Sequence, residues 1–128
     1  MGAGGFAAVG IGAALGAWLR WALGVGLNPV FVSLPLGTLI TNLIGGYLMG
    51  LAMGFFALGS SVTPEMRLFI TTGFLGGLTT FSAFSAEAVQ LLSRGEYGWA
   101  SAHVLSHVFG SLLMTGLGIF TVQMLRNG

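Results

Sequence analysis

Beyond Arg20, three long stretches of this chain carry no Asp, Glu, Lys or Arg: Trp21 to Pro64, Leu68 to Ala86 and Tyr97 to Leu125. A bilayer span needs roughly 20 consecutive, mostly apolar residues, and runs of this kind are of that order or longer. Only 5% of the 128 residues are charged, against about 25% in soluble domains, which excludes an ordinary soluble fold. The chain therefore reads as an all-α integral membrane protein. Its seven charged side chains, Arg20, Glu65, Arg67, Glu87, Arg94, Glu96 and Arg126, punctuate the apolar runs. The absence of cysteine removes any disulfide framework or thiolate metal site. A net charge of +1 makes no case for a nucleic-acid partner. The opening MGAGGFAAVG lacks the basic segment of a secretory signal, so the first apolar stretch is expected to be a retained span.

Four transmembrane helices are predicted, over residues 5–27, 36–58, 65–93 and 99–125, and residues 1–128 are expected to form a single membrane domain. The LNPVFVSLPLG segment, with two prolines, separates the first two. Before the third, Thr63 is placed to cap the helix and Pro64 to occupy its first position. RGEYG makes the last turn. The third helix is expected to break near its middle, over residues 73–80. There Gly73, Gly76 and Gly77 each lower helix propensity by about 1 kcal/mol relative to alanine, and Thr79 and Thr80 can cap a new start. In lipid such a break is tolerated only where protein or water covers it. The competing reading is a glycine-rich packing notch in an unbroken helix.

Glycines recur at four-residue spacing, Gly12 and Gly16 in the first span and Gly46, Gly50 and Gly54 in the second. Such small-residue patterns let helices approach closely in a bilayer. Two such faces on so small a chain, and the little space that four thin helices enclose, favour a homodimer. Orientation normally follows the bias of Lys and Arg between the two sides. With four spans, Arg67 and Arg126 fall on one side and Arg20 and Arg94 on the other, so there is no bias. Either other signals fix one orientation, or the chain inserts both ways, which permits an antiparallel homodimer.

Past the expected break, Phe81, Phe84 and Glu87 fall at i, i+3 and i+6 on one helical face, with Ser82 and Ser85 on the neighbouring stripe. The edge of a phenylalanine ring is electropositive and can meet an anion, although two phenylalanines alone are more often core or lipid-facing. An acid within a span is a functional-site candidate; the bland reading of Glu87 is a pair with Arg94. Arg20 lies between Trp18 and Trp21, markers of the membrane interface, and reads as a snorkelling side chain or a positive vestibule wall. Asn42, one turn after Thr38, offers two N–H donors, for a path or for an interhelical bond. His103, His107 and Ser111 fall at i, i+4 and i+8. Two histidines can bind a metal, but a tetrahedral zinc site needs further ligands and no carboxylate falls on that stripe. The stripe is therefore expected to be a polar lining or helix contact. Carbonyls released around Gly76 to Thr79 suit a small hard cation. No nucleophile–base pair, phosphate loop or paired carboxylates appear. Thr38, Asn42, Ser82, Ser85, His107 and Ser111 together suit a path for a small, strongly hydrogen-bonding anion better than they suit an enzyme.

The segments GAALGAWLRW, PLGTLITNLIGG, TTGFLGGLTTFSAFSAE and HVFGSLLMTGLG closely resemble the Fluc (CrcB) fluoride channels of microbes, and they touch all four spans. The resemblance implies an antiparallel, dual-topology homodimer in the bacterial cytoplasmic (inner) membrane, exporting fluoride passively through two pores. Fluoride, membrane lipid and a second copy of the chain are the implied partners. A structural sodium ion is implied at the dimer centre, held by the main-chain carbonyls of Gly76 and Thr79. Phe81, Phe84 and Asn42 match the pore residues, and Ser111 with Thr38 the polar track beside the phenylalanines. Arg20 matches the arginine closing the first helix and Glu87 the acid after the phenylalanines. The alternative is a small dual-topology multidrug or cation secondary transporter. Such an exporter is expected to carry an acid in its first helix, where this chain has only Arg20. An accessory subunit would need no polar stripes on three helices.

Overall fold

The computed structural model describes residues 2–59 and 61–127, and no strand occurs among them. Helix α1, Ala3–Leu27, runs into a short 3-10 turn, Asn28–Val30, and α2, Leu36–Ala57, starts immediately after Pro35. Helix α3 covers residues 64–78, α4 is Phe81–Ser93 and α5 is Tyr97–Asn127. By length and apolarity these make four candidate spans: Ala3–Val30, Leu36–Ala57, Pro64–Ser93 and Tyr97–Asn127. The third span is α3 and α4 in succession. Thr63 Oγ1 accepts the Met66 N–H at 3.1 Å with Pro64 in the first helical position, which fixes where α3 begins. Gly95, at φ 75°, makes the turn into α5 in a conformation that favours glycine.

Two closely packed helix pairs, α1 on α3 and α2 on α5, form the frame. Each pair is drawn together by glycine. A Cβ on Gly16 would strike the Phe74 carbonyl and lie 2.7 Å from the Leu78 nitrogen. A Cβ on Gly50 would strike the Thr115 carbonyl and lie 2.9 Å from Gly118 Cα. The same holds along each face: Gly12 meets Phe69 and Gly73, Gly46 meets Ser111, and Gly54 meets Val122. This corrects the expectation that the two glycine faces favour oligomerisation. The close approach they permit is already used within one chain, so they carry no argument for a second copy.

The third span changes character along its length. Phe69–Leu75 winds with the wide turns of a π-helix, a geometry found often at functional sites. Gly76–Leu78 returns to α geometry, and then the backbone opens at Thr79 (φ −86°, ψ 156°) and Thr80 (φ −149°, ψ 121°). Thr80 Oγ1 accepts the Ala83 N–H at 3.1 Å and starts α4. The two readings of this segment thus both hold, for different residues. Gly73 and Gly77 form a packing notch against Val9 to Ala13 of α1, and the helix breaks at the threonines.

Overpacking a tight helix contact costs about 1–3 kcal/mol. Gly50→Val is therefore expected to lower the thermal midpoint of the purified protein clearly. Gly76→Ala, whose Cβ would meet nothing nearer than the Thr71 carbonyl at 3.7 Å, is expected to leave it almost unmoved. Thermal unfolding in detergent, followed by tryptophan fluorescence, checks both; an unshifted Gly50→Val would contradict the packing.

Candidate functional site

The break at Thr79–Thr80 is held open by a side chain from another helix. Asn42, in α2, accepts the Thr80 N–H on Oδ1 at 2.8 Å and donates from Nδ2 to the Thr80 carbonyl at 3.1 Å. In an uninterrupted α-helix the N–H of residue i bonds the carbonyl of residue i−4. The Thr80 N–H would serve Gly76, but it serves Asn42; the Ala83 N–H would serve Thr79, but it serves Thr80 Oγ1. The carbonyls of Gly76 and Thr79 therefore lose their regular helical donors. A third displaced carbonyl, that of Gly77, accepts from Arg20 Nε at 3.0 Å. Arg20 is thus turned inward onto the break instead of reaching along the helix to the interface.

The clamp also fixes a tautomer. With Asn42 oriented by both backbone groups of Thr80, its second N–H faces His107 Nδ1 at 3.1 Å. His107 Nδ1 must accept, so its proton sits on Nε2, and that nitrogen is buried with no partner among the described residues. One turn earlier, the fully buried His103 places Nε2 3.1 Å from the Phe84 carbonyl, which can only accept. In the neutral ring this leaves His103 Nδ1 as an acceptor, also buried and unpaired among the described residues. Phe84 lies flat on His103 (centroids 5.1 Å, 21°) and tilts against His107 at 4.7 Å. Phe81 is 5.5 Å from Phe84 but 78% exposed, on the wall of an open groove.

Glu87 joins this cluster from α4. Its Oε2 accepts from Thr38 Oγ1 at 2.6 Å, and its Oε1 lies 3.6 Å from His103 Nε2. Arg94 instead pairs with Glu96 at 3.2 Å in the exposed turn, so the Glu87–Arg94 pair is not formed.

Two cavities flank these groups. An open groove of about 500 Å3 is lined by Asn42, Gly76, Thr79, Phe81, Phe84, His107 and Ser111, among others. A second, of about 350 Å3, is lined by Arg20, Asn28, Thr38, Thr80 and Glu87. Thr80 borders both. The structure thus divides the predicted residues into two sets, with the Phe84–His103–His107–Glu87 cluster between them. Ser82 is exposed and Ser85 half-buried, and neither lines these two cavities. Three contributors were not singled out by sequence reasoning: Thr115, which donates to Gly46 O and Ser111 O, Thr71 on the groove wall, and the backbone of Thr80. Thr115 was detectable as the next step of the stripe His103, His107, Ser111.

The fold and site together define a polytopic membrane protein whose third span is interrupted around a polar cluster at the meeting of two cavities. The sequence profile described as CrcB-like protein, Camphor Resistance (CrcB), matches residues 7–119, and the chain belongs to this family. It is 62% identical over 118 residues to the fluoride-specific ion channel FluC of Nitrosospira multiformis, covering 92% of each chain. It is 58% identical over 125 residues to the protein of the same name from Cupriavidus taiwanensis, covering 98% of this chain and 99% of the relative. The Pseudomonas aeruginosa relative so named is 56% identical over 116 residues, 91% of each chain.

Removing Asn42 strands both backbone groups of Thr80, and a buried group left unpaired costs about 1–3 kcal/mol. Asn42→Ala is expected to speed amide hydrogen exchange over residues 79–83 by at least tenfold while leaving the α2 backbone protected. Exchange measured by mass spectrometry would contradict the clamp if residues 79–83 were unchanged.

Proposed function

We propose that this protein is a passive, fluoride-selective channel of a bacterial cytoplasmic membrane, working as an antiparallel, dual-topology homodimer with two pores, and not an enzyme. The observation that carries the reading is the His107 Nε2–H, a buried donor with no acceptor, held in that tautomer by Asn42 and lying beside Phe84. Buried donors are nearly always paired, and a small anion is the partner this one lacks. Ser111 on the same groove and the edges of Phe81 and Phe84 extend the donor track, and Thr38, whose hydroxyl donates to Glu87, stands beside the second cavity. Ser82 reaches the track only through Thr80, at 3.4 Å between hydroxyls, and Ser85 follows Phe84 in α4. Fluoride, the smallest halide and the strongest acceptor, gains most from such donors as it loses its water.

The same reading assigns the second amide hydrogen of Asn42 a shared role: it orients His107 and meets the ion where His107 turns aside. Arg20 sits by the Glu87 cavity, where its charge draws anions. The exposed Phe81 and the open groove are the surface a second, inverted copy would cover. Such a copy would bring its own Gly76 and Thr79 carbonyls towards those of the first. Carbonyl oxygens freed from helical bonding suit a hard cation, and in this reading they hold a structural sodium ion at the dimer centre. The even division of arginines between the two sides supports insertion in both orientations. A proton-coupled cation exporter finds less support, since the only charged residue of α1 is Arg20, and it is bonded to Gly77.

In proteoliposomes, a fluoride electrode should report rapid, electrogenic, proton-independent release, with chloride far slower. Phe81→Ile and Phe84→Ile are each expected to cut fluoride release at least a hundredfold while cross-linked dimers persist. Full flux in both variants would sink the assigned pore, and slow release tied to a proton gradient would favour the transporter.

A further inference from the structure

The sequence leaves His103 and His107 without a carboxylate on their stripe; the structure supplies one from another helix. Glu87, on α4, and the two histidines of α5 bring ligand-capable atoms within 4.8 Å of one another. His103 is fully buried and His107 is 4% exposed. Each of the three residues holds a buried polar atom with no partner: Glu87 Oε1, His103 Nδ1 and His107 Nε2. Three orphaned polar atoms in one apolar setting are uncommon, since buried polar groups are nearly always bonded.

We infer that Glu87, His103 and His107 form a binding site for a divalent transition-metal ion of the zinc class, placed between the two cavities. The donor set is of the type zinc takes, two imidazoles and a carboxylate, with a fourth position left to water or an anion. The outer contacts suit it too. His103 Nε2 lies 3.6 Å from Glu87 Oε1 and 3.1 Å from the Phe84 carbonyl; ligation through Nε2 gives up the Phe84 contact, whereas ligation through Nδ1 keeps it as the outer N–H bond that a ligating histidine usually makes to a carbonyl. The non-ligating oxygen of Glu87 is held by Thr38. Ligands of a tetrahedral zinc lie about 3.4 Å apart, so pairs at the 4.8 Å limit must draw in by about 1.4 Å, through rotation of the Glu87 and histidine side chains.

His107 adds a consequence. For Nε2 to ligate, its proton must shift to Nδ1, and that N–H would then oppose the N–H of Asn42. Metal binding therefore parts His107 from Asn42 and removes the unpaired donor from the groove. The metal is a blocker. Blockade rests on the channel reading; metal binding does not.

The test uses the full chain, purified without a histidine tag, stripped with chelator and held at constant sodium. Zinc titrated by calorimetry is expected to bind at one ion per chain, and magnesium not to bind. X-ray absorption at the zinc edge of the wild-type protein should report two imidazoles, and a first shell without imidazole overturns the site whatever any variant does. His103→Gln and Glu87→Gln are each expected to weaken zinc at least tenfold; unchanged affinity in both overturns it as well. In proteoliposomes zinc should slow wild-type fluoride release at least tenfold, and His103→Gln should lose that sensitivity relative to its own zinc-free rate. Zinc bound at full occupancy with flux untouched would overturn the placement across the route. Absence of wild-type fluoride release without zinc would instead refute the channel reading and leave the metal titration standing.

Discussion

The structure depends on one side-chain amide. A chain that crosses lipid can leave no backbone group unpaired without a cost of several kcal/mol, yet the third span opens at Thr79 and Thr80. Asn42 makes the opening stable, because its carbonyl and amino groups match the N–H and C=O of Thr80 in one bidentate contact. That contact diverts the donor of the Gly76 carbonyl and sets the tautomer of His107. Beside it, the Thr80 hydroxyl takes the donor of the Thr79 carbonyl and Arg20 bonds the Gly77 carbonyl.

The glycine pattern provides the second constraint. Helix association in a bilayer has no hydrophobic drive between helices, so close packing must supply it. Gly12 and Gly16 let α1 reach the α3 backbone, and Gly46, Gly50 and Gly54 do the same for α2 and α5. Two tight pairs leave the groove beside Phe81 uncovered.

Much of the fold was legible in the sequence because lipid allows few solutions. Charge-free runs of span length could only be helices, the two prolines of LNPVFVSLPLG had to interrupt them, and Thr63–Pro64 marked a start that the structure repeats in detail. The site was legible in part. Thr38, Asn42, Phe84, Glu87 and His107 were marked by being polar or periodic within apolar runs, and they do converge. The position of the break was less visible. Glycine content pointed to residues 73–80, but low propensity does not distinguish a glycine used for packing from one that ends a helix. Gly73 and Gly77 are used for packing.

The sequence by itself determined the solvent, the number of crossings and the even distribution of arginines, since these depend on composition and on order along the chain. Only the tertiary structure decided which polar groups satisfy one another. Asn42 could have served a neighbouring helix anywhere along its length; it meets Thr80 because α2 passes the break at that height. Glu87 could have paired with Arg94 about two turns away, yet Thr38 and His103 lie closer in space though far apart in sequence. Pairings of that kind depend on helix rotation and depth, which a linear pattern of apolar residues does not specify when nearly every position is apolar.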